Sequence, residues 1–285
     1  MTDRVWLGTR GDRAANPGNW SPKGVPQPGD ALAMTQGTMS IKDDDLAGNQ
    51  LLIGTPAAAT SETLNLSHHA DVAATIAQQS GATVTVNVKG ADALSIDTVF
   101  PSSGRFTVNL AHHARLTEDT AMTFSSVVVN GEKGARLLAG DNFLQGSFFT
   151  ANVPVQGGNF TARSAQGVGS VVEFAGAVHG TTTSASGDPG RGVGSSIVID
   201  QPERFNGSVA LDQFGGVTLA GITGATSYDL KGDLLEIFRN DDVIATLNNL
   251  TIPAGANDFQ VVQTAGGITA ELGSFRGNGT LLPPH

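Results

Sequence analysis

"NLSHHADV" (residues 65–72) and "NLAHHARL" (residues 109–116) are two near-identical octets in a chain that holds only six histidines. Read as chemistry, they are two pairs of metal ligands. Read as architecture, they are a repeat. Their apolar ends, Val72 and Leu116, lie 44 residues apart, and midway between them "VNVKGADAL" ends on Leu94. The upstream halves keep the same step: "LNL" at Leu64–Leu66, "VNV" at Val86–Val88 and "VNL" at Val108–Leu110 are 22 residues apart, and "VVV" at Val127–Val129 falls close to that register.

Each unit is a short strand of alternating apolar and polar residues, a polar turn and a second short apolar run. Side chains alternate between faces at period 2, so Leu64 and Leu66 point inward and Asn65 outward. A repeat of this length cannot bury its apolar side alone and must stack on its neighbours, which predicts a solenoid. The fold expected is all-β: a β-solenoid with coils of about 22 residues and atypical end segments. Successive coils would pair in parallel about 4.8 Å apart, so 285 residues would give about 13 turns and a rod of roughly 60 Å. A leucine-rich repeat has a similar period, but its dense, fixed leucine pattern is missing here.

Composition supports this reading. Hydrophobic residues make up 39% of the chain, enough for a core, and aromatic residues only 6%, so that core is built from small side chains. The 37 glycines suit short strands and tight turns better than long helices. Sixteen basic against 26 acidic residues give a net charge of −10, which argues against nucleic acid and anionic lipid as partners. Without cysteine there are no disulfides and no thiol nucleophile. No apolar run is long enough to span a membrane, and the first residues show no signal-peptide core.

Four segments are expected: an N-terminal cap or docking segment (1–40), solenoid coils (41–178), a long loop (179–196, "HGTTTSASGDPGRGVGSS"), and further coils with a C-terminal cap or module (197–285). In the first of these, "VWLGTRGDRAANPGNWSPKGVPQPGDALAM" resembles the W-x-G … N-P-x-N-W-S … G-V-P … G-D segment of bacterial surface and autotransporter-like proteins. Trp6, Gly8, Asn16, Pro17, Asn19, Trp20, Gly24, Val25, Pro26, Gly29 and Asp30 carry the match. The stretch from "FNGSVALDQF" to "GGITAEL" is similar to a module that closes many such proteins. The resemblance implies a single-stranded right-handed parallel β-helix with an extracellular or cell-surface role as adhesin, spacer or matrix component. The chain lacks the translocating barrel of a complete autotransporter.

The histidine pairs would sit two coils apart with Gly90–Ala91 between them, so they read as turn residues of a duplicated repeat rather than as a ligand ladder. Asp43–Asp45 and the pair Asp241 and Asp242 read as solvated turns, and neither has the oxygen-ligand spacing of a calcium loop. Arg10–Asp12 is an RGD tripeptide, and "PGRGVGSS" lacks the strand–turn–helix context of a phosphate loop. The enzyme alternative is polysaccharide cleavage by carboxylates on one face, with Asp97, Glu118, Asp119 and Asp141 as candidates. Ice binding would require ranks of threonine at coil spacing, and "TVTV" at Thr83 does not recur.

The expectation is therefore a non-enzymatic structural or adhesive surface protein that needs no metal or cofactor. Its partner would be a glycan or cell-surface ligand, or further copies of itself stacked head to tail into fibres. Trp6, Trp20, Pro26 and Asp30 are the candidate assembly or docking residues. The alternative is a polysaccharide-binding or polysaccharide-cleaving β-helix.

Overall fold

A computed structural model describes residues 2–43, 45–46, 48–54, 60–76, 83–98, 104–256, 258–273 and 279–285, without the side chains of 76 and 96–98. The chain is an all-β solenoid in which parallel coils of about 22 residues stack for about 8 turns. That is fewer than a uniform repeat would make, because the end segments leave the coil path. The chain divides into two compact units, Met1–Asp141 and Asn142–His285.

In the first unit, one sheet is built from strands Gly37–Lys42, Ser61–Ser67, Thr83–Val88, Arg105–Leu110 and Ser126–Gly131, paired in parallel in that order. We call it the ladder sheet. Its register reproduces the sequence repeat: Leu64 pairs with Val86, Val86 with Val108 and Val108 with Val129. The inward residues Met39, Ile41, Leu64, Leu66, Val84, Val86, Val88, Phe106 and Val108 are all buried. Burial of each such side chain stabilises the fold by about 1.5–3 kcal/mol. The opposite sheet runs through Asp3–Trp6, Ala31–Met34, Gln50–Ile53, Asp71–Ile76, Ala91–Thr98 and Arg115–Thr123.

Here the register departs from the expected column of Val72, Leu94 and Leu116. Val72 pairs with Leu94, but Leu94 pairs with Glu118, while Leu116 sits beside Asp92. The cause is turn length. Val88 is followed by the tight turn at Lys89–Gly90, whereas Leu110 is followed by Ala111, His112, His113 and Ala114 before the next strand begins. The longer turn feeds two extra residues into the strand. A shift of two preserves the inward face, since side chains alternate at period 2, but it replaces the expected leucine with a glutamate.

Glu118 is consequently fully buried, between inward Leu116 and Thr120. Burial, reinforced by the neighbouring Asp119 charge, pushes its carboxyl well above the ordinary value of 4.5. Glu62 is also buried, and the same desolvation raises its pKa, opposed by the Thr60 hydroxyl. Asp92, at the start of its strand, is buried for a different reason: it accepts hydrogen bonds from Ala70 N at 2.8 Å and Gly90 N at 3.0 Å, tying two successive turns together.

In the second unit, Phe148–Ala151, Val171–Phe174, Ser195–Ile199 and Gly215–Ala220 form one run of parallel strands. Opposite them, Val155–Gln156 and Asn159–Arg163 pair with Val178–Ser186, which pairs with Phe205–Leu211 and through it with Leu250–Thr251. Phenylalanines fill this core: the Phe160 ring lies 5.1 Å from Phe149 and 5.2 Å from Phe174.

The expected loop 179–196 is only half loop. Its first part belongs to the strand Val178–Ser186, and its inward residues include Thr181 and Thr183. Their hydroxyls donate to Gly157 O at 2.9 Å and Ser208 O at 2.8 Å, so hydroxyl-bearing residues occupy core positions without leaving a polar group unpaired. Residues 227–247 leave the coil altogether as an antiparallel three-stranded sheet, with Gly232 and Asn240 at positive φ in its two turns. The unit ends on antiparallel strands Gly267–Leu272, Phe259–Gln263 and Thr280–Leu281.

The buried carboxyls predict a pH effect of definite sign. A group whose pKa is raised on folding supports the native state most below its unfolded value, here 4.5, and that support fades as pH rises toward the folded value. Urea midpoints should therefore fall between pH 5 and pH 8, and Glu118→Gln should flatten the fall. A Glu118→Gln profile parallel to wild type would place the linkage elsewhere.

Candidate functional site

The outward face of the ladder sheet repeats as regularly as its core. Asn65, Asn87, Asn109 and Asn130 occupy equivalent positions in four successive coils, with Ser40 in the coil before them. Their side chains bond along the stack. Asn87 Nδ2 donates to Asn65 Oδ1 at 2.9 Å, Asn109 Nδ2 to Asn87 Oδ1 at 3.2 Å, and Asn130 Nδ2 to Asn109 Oδ1 at 3.4 Å. Asn65 Nδ2 reaches Ser40 Oγ at 3.5 Å. A carboxamide carries two N–H donors and a carbonyl with two lone pairs. A ladder bond at each end therefore leaves the central asparagines one donor and one acceptor site facing solvent.

Two residues earlier on each strand, and hence on the same face, stand Thr38, Thr63, Thr85 and Thr107, followed by Val128. The expected absence of a threonine rank is thus corrected for one column. "TVTV" itself does not recur, but its second threonine is stacked in four coils. The rank escapes a search for Thr-x-Thr because the column of Thr83 holds Ser61 and Arg105 in the neighbouring coils. No protein group among the described residues bonds these four hydroxyls.

Beside the ladder lie two adjoining cavities of about 530 and about 600 Å³, which share Asn65 and Lys89. Their rim carries Lys42, Lys89, Asp12 and Glu132, two charges of each sign. Asp12 accepts from Ser40 Oγ at 2.5 Å, and Glu132 accepts from His112 N at 3.0 Å. Asp12 closes the RGD tripeptide, so its carboxylate is engaged within the fold.

The histidine pairs lie in the turns that leave this sheet. His68 and His69 have φ of 62° and 67°, and His113 has φ of 60°. His69 Nδ1 lies 3.0 Å from Ala91 O, and the His112 and His113 rings meet edge to face at 4.1 Å. The octets thus share the asparagine register but differ in turn geometry, since only the first takes two consecutive left-handed residues. The aspartate turns are ordinary in geometry: Asp43 has φ of 48°, and Asp45 accepts from Lys42 N at 3.2 Å, while Asp44 lies outside the described residues.

The four candidate docking residues are all buried within the N-terminal segment. Trp6 and Trp20 pack edge to face at 5.2 Å, and Trp20 Nε1 donates to Ala14 O at 2.7 Å. Asp30 pairs with Arg4 at 2.7 Å and accepts from Gln27 N and Thr2 N. The Arg4 hydrogen bond, with those two N–H groups, holds its carboxyl down to about 2. Asp30 also lines a cavity of about 810 Å³ on the opposite sheet, floored by Val5, Ala33 and Leu52. These residues hold the segment together, and any docking role would act through its outer surface.

The carboxylates that are candidates for glycan cleavage are only partly on one face. Glu118 faces the core and Asp119 the outside of the same strand; Asp119 Oδ1 accepts from Asp141 N at 2.7 Å, and the side chain of Asp97 lies outside the described residues. No group of three or more potential metal ligands occurs among the described residues. No family model, curated protein or solved structure matches the chain.

The ladder and the threonine rank should differ in their contribution to stability. Asn87→Ala removes two half-buried hydrogen bonds and should cost about 1–2 kcal/mol in urea denaturation. Thr85→Val, at a position where the next-but-one coil already carries Val128, should change stability by less than about 0.5 kcal/mol. Equal losses would mean that the ladder bonds contribute nothing to stability.

Proposed function

We propose that the protein is a non-enzymatic structural and adhesive solenoid of the cell surface or extracellular matrix, attaching through the outward face of its ladder sheet. The observation that carries this reading is the in-register column of asparagines beside unbonded threonine hydroxyls. A single binding pocket needs no such periodicity, whereas attachment to an extended surface uses it by repeating a weak contact. The resemblance of the N-terminal and C-terminal stretches to bacterial surface proteins points the same way.

The strand edges favour lateral attachment over head-to-tail stacking. In the first unit the outer edge of Gly37–Lys42 is partly occupied: Arg13 bridges Ser40, Ala14 N donates to Ser40 O at 2.8 Å, and Ser40 N donates to Asp12 O at 2.5 Å. In the second unit the terminal strands are antiparallel and break the coil register. Both devices blunt edges that would otherwise recruit further strands.

Two measurements test this. Sedimentation velocity over rising concentration should give one non-associating species; fibres would favour head-to-tail assembly. Particles coated with the protein should be retained by films of bacterial extracellular matrix, with no change in the chain length of the matrix polymers. Absence of retention overturns adhesion, and shortened polymers would establish the cleaving alternative.

A further inference from the structure

Resting on that adhesive reading, we propose that the furrow along the asparagine ladder binds a neutral, linear polysaccharide laid parallel to the coil stack, with about one sugar residue per coil. Three features of the first unit lead there. The furrow is elongated, because its two cavities adjoin and share Asn65 and Lys89. Its chemistry is periodic: Asn65, Asn87 and Asn109 each offer a carboxamide with a free donor and acceptor, and beside the furrow, two residues earlier on the same face, Thr63, Thr85 and Thr107 offer unbonded hydroxyls. A linear glycan is the polymer whose hydroxyls present mixed donors and acceptors at a regular advance comparable to the coil spacing of about 4.8 Å.

Charge selects the class. The rim carries Lys42 and Lys89 against Asp12 and Glu132, so the furrow is balanced, while the whole chain is at −10 and repels polyanions. An extended peptide is a poorer occupant. Peptides added to sheets gain affinity from a free backbone edge, whereas the ladder strands within the stack have both edges paired and present side chains only. None of the residues lining the furrow is Trp, Tyr or Phe. Binding therefore rests on hydroxyl and amide contacts, weak for each sugar and multiplied along a chain.

Affinity electrophoresis through gels containing β-glucan, xylan, mannan or polygalacturonate tests the proposal on the full chain. Retardation is expected in at least one neutral polymer and not in polygalacturonate. The triple variant Thr63→Val, Thr85→Val, Thr107→Val keeps shape and β-branching while deleting three hydroxyls, and it should weaken retardation about ten-fold or more. A control, Thr117→Val on the exposed face of the opposite sheet, should leave it unchanged. Matching thermal transitions for the variants and wild type establish that they fold. No retardation in any neutral polymer, tighter binding to polygalacturonate, or equal retardation of the triple variant overturns the proposal. If coated particles still attach to matrix films in those cases, the adhesive reading stands and only the glycan assignment falls.

Discussion

Parallel pairing at a fixed coil spacing places each outward residue directly over its counterpart one coil on, and the rest of the structure follows from that stacking. Inside, the constraint demands small or well-fitted apolar residues in columns, which is why Val86 must match Leu64 and Val108. Outside, it turns an isolated polar residue into a column. Asparagine suits such a column because its carboxamide donates along the stack and accepts along it at once. The ladder is therefore both a structural seam and, at Asn65, Asn87 and Asn109, a regular presentation of donors and acceptors left free by the column.

The same constraint decides where errors in the repeat are tolerated. The turn after Leu110 is longer than the turn after Val88, and the following strand absorbs the difference as a two-residue advance. An advance of one would have turned the whole strand inside out; an advance of two keeps every side chain on its face. What it cannot keep is identity, and Glu118 arrives where a leucine would stack on Leu94. A buried carboxyl that favours its protonated form is the consequence.

The ladder sheet was legible in the sequence because its inward residues are apolar apart from Glu62, and because its strands from Ser61–Ser67 to Ser126–Gly131 keep a step of 21 or 22 residues. Three features were not legible. The advance at Glu118 depends on turn conformation, and the matching "HH" of the two octets conceals it. The strand Val178–Ser186 carries threonine at inward positions, so no apolar alternation marks it; the bonds from Thr181 and Thr183 to backbone carbonyls exist only once the coils are stacked. Trp6, Trp20, Pro26 and Asp30 stood out as distinctive residues, but distinctiveness does not say whether a side chain faces solvent, and all four are buried. The outward asparagine was read correctly as outward, and its role emerged only from the hydrogen bonds along the column.

The ordered ladder can be observed directly by measuring exchange of the asparagine side-chain amide protons with water by NMR. Asn87 and Asn109 should each show one slowly exchanging Nδ2 proton, bonded along the column, and one fast proton facing outward, whereas both protons of the exposed turn residue Asn240 should exchange fast. If both protons of Asn87 and Asn109 exchange as fast as those of Asn240, the ladder is not formed, and the periodic face on which attachment depends does not exist.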